Sequence, residues 1–323
     1  MRRIHTGSRS LIAVIVFSAA MVNASALHAQ EATSQGSSSP VATPGAVETR
    51  FAAPALIFPA NTYRMPAPKP AFRVGAPAFS APAFSGAGPR AAYVQDAATG
   101  QRDVSWRLLQ SNFLDDQRTM WLFPVQLAHG HHWLPTISIV GITAGLIAAD
   151  PHDAPYFRRT TAFSDFNNGF SSIITGAELA AAPGLTYVVG LIDKDSYAQK
   201  TALFAGEAAA DGMVFYGIAQ VATHRQRPLE IDPHGDFSDT FWDGHRSVIS
   251  NSFPSGHSVA AFAIASVFSR RYRRHRWVPI LAYGVASAIC SSRITTQEHF
   301  PSDVFLGAAI GYTVARYDVL RGQ

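Results

Sequence analysis

The chain has 323 residues, of which 47% are hydrophobic and only 15% charged. Mean hydropathy is +0.07 and the formal net charge +4, a balance of apolar helices and polar loops that suits an anionic partner. A single cysteine, Cys290, excludes an intramolecular disulfide and any cysteine-based metal site.

In chain order, a basic start (MRRIHTGSRS), an apolar run of about a dozen residues (LIAVIVFSAAMV) and the small residues of NASALHAQ lay out a secretory signal peptide over 1–29. Ala24-Ser25-Ala26 and Ala29 offer cleavage sites, and an uncleaved membrane anchor is the other reading of the same segment. Residues 30–98 are a Pro/Ala/Ser-rich linker: 31–95 hold ten of the twenty prolines and the tandem APAFS repeat at 76–85. Such a composition buries too little apolar surface to offset its ordering entropy.

A helical domain is expected over 99–320. SWRLLQSNFLDDQRTMWLFPVQL leads in as one or two amphipathic helices. Six helices follow, at about 133–149, 170–192 with a break at Pro183-Gly184, 200–222, 257–271, 277–291 and 302–317. No segment alternates with period two, so the fold class is all-α, a six-helix bundle.

Three short stretches carry chemistry. Pro254-Ser255-Gly256-His257 stands at the mouth of an apolar helix. The unpaired first-turn N–H groups and the positive end of the helix dipole make an anion site there, with His257 beside it as a proton donor or acceptor. In Ser292-Arg293-x5-His299-x3-Asp303, Pro301 starts the last helix, which puts Asp303 in its first turn. Asp303 is then able to hold one ring nitrogen of His299 and turn the other outward. Thr223-His224-Arg225-Gln226-Arg227-Pro228 closes the third helix with cations and a proline stop. Together they supply what phosphoryl transfer needs: Arg227 and Arg293 for the oxygens, His299 as nucleophile and His257 as acid.

With those residues in view, R-x-R-P at 225–228, PSGH at 254–257 and S-R-x5-H-x3-D at 292–303 resemble the three signature motifs of the type 2 phosphatidic acid phosphatases. That superfamily also holds class A acid phosphatases and vanadium haloperoxidases. The resemblance covers about 170–317 and implies a metal-independent phosphatase of a lipid or small phosphoester. In it His299 forms a phosphohistidine, Asp303 orients His299, and His257 protonates the leaving group and then activates water. Arg227, Arg293 and the backbone of Ser255 and Gly256 would hold the phosphate. Where the family pattern has a lysine, seven residues before the arginine of Arg-Pro, this chain has Gln220. Gln220 brings no charge to a phosphate oxygen, a loss of about 1.5–3 kcal/mol. Gln220, His224 and Arg227 are expected on one helical face, with His224 or Arg225 partly replacing the lysine.

No cofactor is implied, except vanadate if the chain is instead a haloperoxidase using the same residues. The third alternative is a phosphate-binding protein whose catalysis has weakened. No nucleic-acid partner is expected. His129-Gly-His131-His132 reads as solvent- or interface-facing rather than metal-binding. Glu207 and Asp211, four apart, must face the bundle interior if their helix lies in a bilayer, and form a polar stripe if it does not. Five arginines in 270–276 place that loop in the cytoplasm and the three motifs at the periplasmic helix ends. Six full spans after a cleaved signal would place them on the other side. The expected location is the cell envelope, exported and membrane-associated with the site facing the periplasm, or soluble in the periplasm.

Overall fold

The computed structural model describes residues 102–170, 172–244 and 251–321, so the signal segment at 1–29 and the Pro-rich segment at 30–98 lie outside the described residues. What is described is helical. Two short helices, α1 (Leu109–Trp121) and α2 (Phe123–Ala128), lead into α3 (Trp133–Arg159), and a one-turn α4 (Ser164–Asn168) connects to α5 (Ser172–Ile192). Then come α6 (Ser196–Thr223), a 3-10 turn at Pro228–Glu230, α7 (Gly256–Arg271), α8 (Trp277–Thr295), α9 (Pro301–Thr313) and a π-turn at Val314–Val319.

Helix α7 is the axis of the bundle. Its alanines and valines let neighbours approach closely, and Val259, Ala263 and Val267 are wholly buried among residues of α6, α9 and the π-turn. Gly307 of α9 sits where a Cβ would lie 2.5 Å from the Ser255 carbonyl oxygen, so a side chain there would push α9 off the start of α7.

Several helices run further than their sequence indicates. α3 continues past 149 through Pro151 and Pro155 to Arg159. Each proline removes an intrahelical bond, but tertiary bonds pin this end: Asp150 is buried against Arg225, and Arg158 donates to the carbonyls of Ile231 (3.1 Å) and Leu229 (3.2 Å). α5 likewise passes through Pro183 without the expected break. α6 ends at Thr223, where His224 takes a left-handed conformation (φ 42°). Gln220, His224 and Arg227 therefore do not share a helical face. The chain is drawn away by Gln226 N–H on the Thr240 carbonyl and Ser252 N–H on the Arg225 carbonyl, both 2.8 Å.

α3, residues 175–192 of α5, and α8 are long and apolar enough to cross a membrane. They turn large apolar side chains outward, with Leu134 79% exposed, Ile192 74% and Ile280 75%. Glu207 and Asp211 face inward instead, joined by Asp116 of α1. One carboxylate oxygen from each lies within 4.8 Å of the others, and Arg102 bonds Asp116 (2.7 Å) and Glu207 (2.8 Å). His129, His131 and His132 are exposed, and the His129 ring meets the Val125 carbonyl at 2.7 Å.

Candidate active site

The candidate residues gather at one end of the bundle, where α3, α6 and α8 finish and α5, α7 and α9 begin. Ser255 caps α7, its hydroxyl accepting from the Ser258 N–H at 3.4 Å. Its own N–H is taken by the Asp303 carbonyl at 3.0 Å, so the first-turn N–H groups open to an anion start at Gly256. Gly256 is packed on Tyr216, whose ring would lie 3.0 Å from an added Cβ; no larger residue fits there without moving the ring. His257 follows, half-buried and facing Gly176 of α5.

His299 stands in the loop between α8 and α9, 5% exposed. Its Nδ1 lies 2.6 Å from the Ser252 carbonyl oxygen. A carbonyl only accepts, so Nδ1 carries the hydrogen and Nε2 keeps its lone pair. Burial and then the nearby Arg227 charge push its pKa down to about 3, which leaves the ring neutral and nucleophilic near neutral pH.

Asp303 is not the direct partner of that ring. Its Oδ2 is 3.9 Å from His299 Nδ1 and instead accepts from the Ser252 hydroxyl and from the Phe300 N–H at 2.8 Å. Ser252 thus stands between them, its hydroxyl held by Asp303 and its carbonyl holding His299.

The three arginines divide into two roles. Arg293, fully buried at the end of α8, reaches the Phe170 carbonyl and the Thr175 hydroxyl (3.3 Å). Arg227 pairs with Glu298, keeps about a fifth of its side chain exposed, and is within electrostatic reach of Arg293. Two arginines beside a helix N-terminus and a neutral histidine are suited to receive a phosphoryl group. Arg225 is committed elsewhere. Sandwiched between the rings of Phe241 (4.6 Å) and Phe300 (4.0 Å), it donates to Asp303 at 2.6 Å, Asp150 at 2.7 Å, Ser302 at 2.7 Å and Thr240 at 3.0 Å.

Gln220 is wholly buried and its amide is taken up by backbone. The amide NH2 is shared by the carbonyls of Phe253 and Pro254, both at 3.2 Å, and its oxygen accepts the Asn251 N–H at 2.9 Å. It clamps the loop that delivers PSGH. His224, 3.4 Å from the Asn251 side chain, belongs to the same loop support.

Residues 201–319 match the family model described as the PAP2 superfamily. This segment is a PAP2 superfamily domain. Three curated relatives match parts of this chain, each named a lipid A 1-phosphatase. That of Porphyromonas gingivalis is 46% identical over 66 residues, 20% of this chain and 15% of the relative. That of Rhizobium etli is 32% identical over 116 residues, 36% and 45% respectively. That of Rhizobium johnstonii is 34% identical over 90 residues, 28% and 35%. The chain spans less than half the length of each of these relatives, and no solved structure matches it.

The PAP2 segment holds all eight residues singled out in sequence, and they converge. It does not hold Asp150, Phe170 or Thr175, which contact Arg225 and Arg293 from α3, the loop before α5, and α5. Ser252 escaped notice because a backbone carbonyl leaves no mark on residue type. Asp150 left one signal, an acid at the end of the apolar run GLIAAD.

Proposed function

We propose that the chain is a phosphatase acting on a phosphate ester or diphosphate of a lipid, through a phosphohistidine on His299 and without a metal. The observation that carries this is the neutral His299 ring, its Nδ1–H fixed on the Ser252 carbonyl and its Nε2 left with a lone pair beside Arg227. Nε2 attacks phosphorus as the bond to the leaving oxygen breaks, and His257 gives that oxygen its proton. Water then attacks the phosphohistidine with His257 taking the proton back, so phosphate leaves and both histidines return to their starting states. Arg227, Arg293 and the first turn of α7 neutralise the oxygens in the transition state, the role a metal ion plays in other phosphatases.

The relatives' names make the 1-phosphate of lipid A the first substrate to try, and the apolar outward faces of α3, α5 and α8 favour a substrate met at a membrane. The test is phosphate release by the purified chain in EDTA, wild type against His299→Ala. Release confined to the wild type is expected; equal release from both would sink the histidine reading.

For location we infer a site on the periplasmic face. His132 packs on Tyr317 and Arg270 is within electrostatic reach of Arg316, so the chain's entry to α3 and the arginine-rich turn share the end opposite the site. Cytoplasmic arginines then require that the chain enter α3 from the cytoplasmic side, which a cleaved export signal would not give. A reporter fused after residue 101 discriminates: cytoplasmic activity is expected, and periplasmic activity would reverse the orientation.

A further inference from the structure

Asp303 shares its charge. Its Oδ1 is held by Arg225, so the two together are neutral, and a second carboxylate, Asp150 of α3, binds the other arm of the same guanidinium. Among the described residues every hydrogen-bond partner of either carboxylate is a donor. For Asp303 these are Arg225 Nη1, the Ser252 hydroxyl and Phe300 N–H; for Asp150 they are Arg225 Nη2 and both the hydroxyl and N–H of Ser302. Both carboxylates bond the one Arg225 guanidinium, at 2.6 and 2.7 Å, and are read as the anionic partners of that single cation. The unit Asp150–Arg225–Asp303 therefore carries one net negative charge, buried, with Asp303 3.9 Å from the His299 ring.

We propose that Asp150 is a positioning residue for the nucleophile. It returns to the unit the negative charge that Arg225 cancels on Asp303, and the unit then stabilises the positive charge that spreads over the His299 ring as Nε2 bonds to phosphorus. Ser252 carries the geometry: its hydroxyl is fixed by Asp303 and its carbonyl by the His299 Nδ1–H, so the ring cannot turn while the charge develops. Arg227 and Arg293, which meet the phosphate, are paired with other groups and keep their places when Asp150 changes. The effect therefore falls on kcat rather than on KM. This inference rests on the phosphohistidine reading above.

A merely structural role and a charge-setting role differ in sign for one double variant. Replacing Asp150 alone leaves Arg225 to neutralise Asp303 and the unit without charge. Replacing Arg225 as well leaves Asp303 unshared and restores the charge, although five hydrogen bonds are gone.

The experiment measures steady-state phosphate release by the detergent-purified full chain on a lipid phosphate. It uses wild type, His299→Ala, Asp150→Asn and the double variant Asp150→Asn with Arg225→Met, whose thioether fits the slot between Phe241 and Phe300. Release by wild type and not by His299→Ala establishes the underlying reaction; its failure there would overturn the histidine reading, and this inference with it. With that in hand, Asp150→Asn is expected to lower kcat by about 10- to 100-fold with KM changed less than about 3-fold. The double variant is expected to exceed the single. A kcat loss of less than about 5-fold in Asp150→Asn, or a double variant no faster than the single, overturns the proposal. If Asp150→Asn does not elute as a folded species, the double variant decides alone. A kcat within about 10-fold of wild type supports the proposal and a lower one overturns it.

Discussion

Arg225 and Arg102 each lie buried in the bundle between carboxylates. At the site end, Arg225 and its two aspartates leave no side-chain oxygen or nitrogen of the three without a partner. In mid-bundle, Asp116, Glu207 and Asp211 surround a single arginine, and one oxygen of each carboxyl finds no hydrogen-bond partner among the described residues. Arg102 nonetheless ties the segment before α1 to the Val319 carbonyl at 2.9 Å. Two assemblies of the same residue types therefore differ in what they fix. The first fixes the orientation of His299 through Ser252; the second joins helices and leaves polar atoms poorly matched.

That difference predicts that substitutions sort by their distance from the site. The largest effect belongs to the nucleophile: His299→Ala is expected to lower kcat by on the order of 10³-fold or more, with the melting temperature little changed. Its pH behaviour sharpens the same point. Because the folded ring is held far below the ordinary histidine range, its protonation cannot set an acid limb near pH 6.5, and log kcat/KM should stay level down to about pH 5. A break at 6.5 would mean that the buried ring is not the group that attacks.

Arg227→Gln comes next. It removes a charge-assisted contact to phosphate worth about 1.5–3 kcal/mol, so kcat/KM should fall by about 10- to 100-fold. Gln220→Lys ranks below it and goes against the expectation of a missing cation. An ammonium can donate to the Phe253 and Pro254 carbonyls but cannot accept the Asn251 N–H, which would be left buried and unpaired. The predicted outcome is a melting temperature lower by about 2–8 °C and a kcat/KM no higher than wild type. The smallest effect is expected in mid-bundle. Asp211→Asn keeps its bond to Gln117 (2.8 Å) and replaces a carboxyl whose pKa burial pushes up to about 8, so little charge is lost near neutral pH; the melting temperature should hold or rise by about 1–3 °C and kcat/KM stay within twofold. A large activity loss there would erase the contrast between the two ends.

Much of the site end was legible in the sequence, and for a physical reason. Caps and proline starts act locally, so Ser255 at the cap of α7 and Pro301 at the start of α9 fall where the sequence puts them. The helical class follows from patterning of the same kind, whereas the sequence leaves Glu207 and Asp211 either facing inward or forming a polar stripe, and the fold turns them inward beside Asp116. What could not be read depends on contacts distant along the chain or made by backbone. Asp150 and Arg225 are 75 residues apart. The Ser252 carbonyl that orients His299 is indifferent to its own side chain. Pro151, Pro155 and Pro183 read locally as breaks, yet the helices continue because tertiary bonds and apolar surroundings outweigh the lost backbone bonds. The glutamine at 220 reads as a weakened phosphate ligand until the loop carbonyls around it are placed.

The central claim is that His299 bonds to phosphorus. Rapid quench of the purified chain with a lipid substrate carrying labelled phosphate tests it most directly. In His257→Ala, which lacks the group that activates water, the label should accumulate on the protein as an acid-labile, alkali-stable adduct at His299, and His299→Ala should retain none. Label of equal amount in both variants, or none in His257→Ala while phosphate is still released, would contradict the account.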